Sequence, residues 1–61
     1  MNDKKYKVSV EFEKYSKKFE NVPFPTLDLS SNPNTLVIED RNRTFRFSMN
    51  EVQYYTVEEM R

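Results

Sequence analysis

From Lys5 to Glu13 the chain alternates without a break, with Tyr6, Val8, Val10 and Phe12 on one face and Lys5, Lys7, Ser9, Glu11 and Glu13 on the other. A period of two places every second side chain on the same side of an extended backbone, so this segment reads as a half-buried strand. Such a strand must lie on a core, and 61 residues leave room for one small domain, residues 1–61. For 7.4 kDa, size scaling gives roughly 4,200 Å² of surface when folded, with about 60% of the unfolded surface buried. That is a thin margin. There is no Cys for a disulfide, and without Cys or His there is no ordinary structural zinc. Association with itself or with a partner is the remaining way to add burial.

After the first strand, Lys14–Asn21 is ambiguous. Tyr15, Phe19 and Val22 fall at helical spacing, whereas a hairpin through Tyr15 and Ser16 sets Phe19 opposite Phe12 and Glu13 opposite Lys18, but Glu11 opposite Glu20. A second strand around Lys18–Val22 is the preferred reading. Pro23 and Pro25 lack backbone donors and hold their predecessors extended, so the stretch to Thr26 is expected to be a connector or an edge, with Leu27 and Leu29 pinning it to the core. The run Ser30-Ser31-Asn32-Pro33-Asn34 is the strongest turn signal in the chain.

The second hairpin is the best-specified element. A loop over Asp40–Arg43 sets Glu39 against Thr44, Ile38 against Phe45, Val37 against Arg46 and Leu36 against Phe47, which gathers the large apolar residues on one face. A three-residue loop with Asn42 left-handed mixes apolar and polar partners and is rejected on pattern. Ser48-Met49-Asn50-Glu51 matches the S-x-x-E capping box, yet Val52, Tyr54, Tyr55, Thr56 and Val57 suit a strand better than a helix. One helical turn followed by a strand from about Val52 to Glu58 reconciles the two, and a C-terminal helix from Met49 to Met60 is the rival.

The expected fold is therefore all-β: a small antiparallel sheet, or a partly closed barrel, of four or five strands with a short helical turn before the last. This order of strand, loop, tight hairpin, helical turn and closing strand is similar to that of small SH3-like barrels over residues 35–58. The resemblance is one of topology and implies barrel-like closure, not an activity.

Missing residue types exclude much chemistry. Gly, Ala, Cys, His and Trp are all absent, so there is no Cys or His nucleophile or base, and no glycine loop to cradle a phosphate. The paired acids Glu39–Asp40 and Glu58–Glu59 point to opposite faces of a strand and cannot converge on one bond. Neither a metal nor another cofactor is expected, and the chain is read as a non-enzyme. Ten basic residues balance ten acidic ones, so no global field draws it to nucleic acid or to an anionic membrane.

The start MNDKKYKV has no apolar run after its charges and the end EEMR carries no retention or lipid signal, so a cytoplasmic protein is expected. Abundant Phe, Tyr, Met, Ile, Asn and Lys beside absent Gly and Ala fit an AT-rich genome, bacterial or that of a phage or mobile element.

What remains is surface. Aromatics make up 15% of the chain, more than one small core hides, and interfaces favour Tyr, Phe, Met and Arg. The leading expectation is a small protein-binding or regulatory module that acts through a strand edge or through Tyr54, Tyr55 and Val57, with Tyr15 nearby, and that associates with another protein or with itself. The alternative is nucleic-acid binding by Arg41, Arg43 and Arg46 on the second hairpin, with the tyrosines as stacking faces. Against it, Glu39 and Asp40 lie in the same hairpin and offset two of the three charges.

Overall fold

A computed structural model describes residues 4–60; Met1–Asp3, part of the start read above for a leader, and Arg61, part of the end read for a retention signal, lie outside the described residues. Six strands run in order: β1 (Lys5–Glu11), β2 (Ser16–Val22), β3 (Thr26–Asp28), β4 (Thr35–Asp40), β5 (Arg43–Ser48) and β6 (Tyr54–Met60). They form two antiparallel three-stranded sheets, β2–β1–β6 and β3–β4–β5. The protein is all-β, with no helix among the described residues and so none long and apolar enough to cross a membrane. No ladder joins the two sheets into a closed barrel among those residues.

The alternating faces explain the core. Val8 and Val10 of β1 are fully buried, as are Leu36 and Ile38 of β4, and Phe12, Phe19, Val22 and Val52 complete the cluster. Aromatic rings bridge the sheets: Phe19 lies 5.1 Å from Phe45 and Phe12 lies 5.4 Å from Phe47, both tilted. The β4–β5 ladder has the register expected from pattern, Leu36 to Phe47 and Ile38 to Phe45. One further pair, Asp40 with Arg43, closes the loop to Arg41 and Asn42, and Arg41 takes φ 60. A two-residue hairpin needs a positive φ at its first central residue to follow the strand twist, and without glycine an arginine fills it.

The β1–β2 hairpin departs from expectation. Phe19 lies opposite Val8, not Phe12. The loop spans Phe12 to Tyr15, closed by a 2.8 Å bond from the Phe12 amide to the Tyr15 carbonyl, so Phe12 turns over the core instead of extending the ladder. This register separates Glu11 from Glu20 and brings Glu20 within 4.0 Å of Lys7. Farther along, the pairs Val8–Phe19 and Tyr6–Val22 leave three steps on β2 against two on β1. Asn21, at φ 62, takes up the extra residue as a β-bulge. That bulge is why Phe19 and Val22, three apart, both point inward, which in sequence looks like helical spacing.

Two more expectations are corrected. Leu27 and Leu29 do not pin the connector: they are 39% and 69% exposed, whereas Pro25 is buried. β3 is held through its ladder to β4, and Thr26 and Leu27 remain exposed on it. The S-x-x-E segment forms a turn, not a helical one, with the Glu51 amide bonded to the Ser48 carbonyl at 2.9 Å and the Asn50 amide to Ser48 Oγ at 3.3 Å. Ser48 is the last residue of β5 and is still paired with Thr35 of β4, so its backbone belongs to a strand and cannot open a helix. The turn is tied down on both sides, by Met49 N–H to the Asn34 carbonyl at 2.9 Å and Gln53 N–H to the Glu11 carbonyl at 2.8 Å. The rival helix over Met49–Met60 is replaced by β6, whose Tyr55 and Val57 pack at the core margin.

Candidate functional site

The four outer strands of the two sheets are β2, β6, β3 and β5, and they differ in how far they are protected. An outer strand carries unpaired backbone donors and acceptors, and proteins blunt such edges with bulges, lysines, prolines or brevity. β2 has the Asn21 bulge and carries Lys17 and Lys18. β3 is three residues long and follows Pro23 and Pro25. β5 carries Arg43 and Arg46. β6 carries the acidic Glu58 and Glu59 but no bulge, proline, lysine or arginine, and its seven residues run in unbroken register from Lys5–Met60 to Glu11–Tyr54.

The ladder also sorts the tyrosines. Tyr55 lies opposite Val10 and Val57 opposite Val8, so both face the core. Val8 is fully buried but Val57 is only half-buried, because no strand among the described residues flanks it on the outer side of β6. Tyr54 lies opposite Glu11 on the other face and is 59% exposed. The group Tyr54, Tyr55 and Val57 is therefore divided between the two faces of one edge strand and does not form a single patch. Tyr15 stands at the same end of the sheet, since Glu11 pairs with both Ser16 and Tyr54. Its ring stacks on Phe12 at 4.6 Å and borders an open cleft of ≈ 470 Å³ with Phe12, Val52 and Gln53.

Charge on this sheet is locally balanced. Lys7 sits opposite Glu58, and Lys4 Nζ is 3.6 Å from Glu59. Both are surface pairs with little energetic weight, but they offset the acidity of β6. At the Lys5 end, Met60 Sδ accepts from the Asn21 amide at 3.2 Å.

The three arginines are not brought together. Arg43 pairs with Asp40 and Arg46 with Val37, which puts their side chains on opposite faces of β5. Arg46 crosses β4 to bond Asp28 Oδ2 at 2.8 Å. The other oxygen, Asp28 Oδ1, accepts from the Ser30 hydroxyl at 2.6 Å and the Ser30 amide at 3.0 Å. The Ser30 bonds, then Arg46, hold the Asp28 carboxyl below the usual aspartate range. Arg41 and Arg43 remain at the hairpin tip, in a cleft of ≈ 510 Å³ shared with Glu20 and Asp40.

Sequence reasoning missed Leu27 and Leu29 as surface. Phe24 is 61% exposed and meets Tyr6 edge-on at 5.2 Å. The available signal was the brevity of the segment between Pro25 and the Ser30–Asn34 turn, too short to reach across the core. Comparisons with protein-family models, with curated proteins and with solved structures return no match for this chain.

Proposed function

We propose that the protein is a non-enzymatic binding module that takes up an extended segment of another protein chain along the free side of β6. The observation that carries this reading is the unbroken seven-residue edge, paired among the described residues with β1 alone. Added strands gain affinity from main-chain hydrogen bonds and specificity from alternate side chains. Here the alternate positions are Tyr55 and Val57 on one face, and Tyr54 and Thr56 on the other. Tyr15 and its cleft extend the contact at the Tyr54 end. The likeness to small SH3-like barrels over residues 35–58 enters this reading as strand order only.

Selection of displayed random peptides against the chain, followed by amide shift mapping of the bound peptides, tests the reading. Perturbation concentrated at residues 54–60 is the expected result. A footprint on Arg41–Arg43, or on Phe24–Leu29, would overturn it.

A further inference from the structure

We infer that the segment received by β6 is β6 of a second copy, giving an antiparallel dimer centred on Val57. This rests on the reading of β6 as the binding edge and adds the partner and the register. The strand has seven residues, an odd number, so full antiparallel overlap with itself keeps inward residues opposite inward ones. Val57 then meets Val57 of the other copy, Thr56 meets Glu58, Tyr55 meets Glu59, and Tyr54 meets Met60. No like charges stand directly opposite each other. Sliding the copies two residues one way sets Glu58 against Glu58, and two residues the other way leaves Glu59 and Met60 without partners. The register centred on Val57 is thus the longest that avoids charge repulsion.

No other edge is self-complementary in this way. The Asn21 bulge interrupts β2, β3 is three residues long, and the six residues of β5 in full overlap set inward Phe45 against outward Arg46. In the dimer, the half-buried Val57 would be flanked on its open side by its own counterpart, and the two sheets would join as β2–β1–β6–β6–β1–β2.

The chain has no cysteine, so single introduced thiols report the register directly. Full-length protein should sediment at twice 7.4 kDa as concentration rises. Under mild oxidation, Val57→Cys should cross-link to itself, a mixture of Thr56→Cys and Glu58→Cys should cross-link to each other, and Thr56→Cys alone should not. Thr56 and Glu58 are exposed, so the mixed pair reports register even if Val57→Cys weakens the fold. Thr56→Glu should loosen and Thr56→Lys tighten the dimer, the two dissociation constants differing about tenfold because each contact occurs twice. A 7.4 kDa species at every concentration, while selected peptides still map to residues 54–60, would overturn the second-copy proposal and leave the edge reading standing. A dimer in which Thr56→Cys alone cross-links would overturn the register. Absence of both the dimer and the footprint on β6 would remove both.

Discussion

Deleting Asn21 separates two consequences of the β2 bulge. In the native register Tyr6 faces Val22 and Val8 faces Phe19, so removing one residue leaves two steps against two, with Glu20 opposite Lys7. Phe19 and Val22 both stay inward, and the core keeps its contents. What is lost is the amide contact to Met60 Sδ at 3.2 Å and one residue held at φ 62. A sulfur acceptor is weak, and asparagine tolerates the left-handed region better than most residues. The deletion should therefore change stability by less than about 1 kcal/mol, or about 1 M in the urea midpoint for a small domain with a slope near 1 kcal/mol/M.

Asn21→Val is the counter-experiment, since it keeps the bulge but forces a β-branched residue into the left-handed region. It should cost about 1–2 kcal/mol. The edge responds in the opposite order: the deletion straightens β2 and leaves only Lys17 and Lys18 to guard it, so light scattering should reveal species beyond the dimer that grow with concentration. The reasoning fails if the deletion costs more than about 3 kcal/mol, which would mean that the bulge shapes the core. It fails equally if Asn21→Val is as stable as Asn21→Gly.

Ile38→Ala empties a fully buried site opposite Phe45 and should cost about 2–5 kcal/mol. Against a total of roughly 3–9 kcal/mol for a chain of this length, the melting midpoint followed by circular dichroism should fall by about 10–30 °C. Asp28 has a native pKa lowered by Ser30 and Arg46, so the unfolded chain binds its proton more readily than the native one. Its contribution is present above the ordinary aspartate value of about 3.9 and is lost as pH falls through the lower native value; urea titrations of Asp28→Asn should show a shallower acid decline than wild type. Arg41→Gly relieves a Cβ held at φ 60 and should raise the urea midpoint by about 0.5–1 M, net of the freedom glycine adds to the unfolded chain.

The parts of this fold that were legible in the sequence are those where alternation has one solution. Leu36, Ile38, Phe45 and Phe47 share a face only in the observed register, and Lys5–Glu11 permits only one buried side. The β1–β2 register was not legible, because a bulge at Asn21 turns a spacing of two into three and imitates a helix. The S-x-x-E segment misled for a related reason: a capping hydroxyl also stabilises a plain turn, and Ser48 was already committed to β5. The candidate site was half legible. Large side chains on both faces of the last strand were visible, as was the shared face of Tyr55 and Val57. Which face meets the core depends on Val8 and Val10, supplied from about 45 residues away by β1, and no local pattern encodes that. Leu27 and Leu29 show the same limit, since apolar character does not guarantee a covering layer.

Both left-handed positions among the described residues are filled by Asn21 and Arg41, and the chain reaches every turn without glycine. Average usage of about 7% would put roughly four glycines in this length. Each would widen the denatured ensemble, at about 0.4–1 kcal/mol apiece where the native conformation permits another residue. A stiffer disordered chain thus spares the folded state about 2–4 kcal/mol, a sizeable share of the roughly 3–9 kcal/mol expected for so small a domain. The molecule compensates for its thin core partly by having fewer conformations to give up.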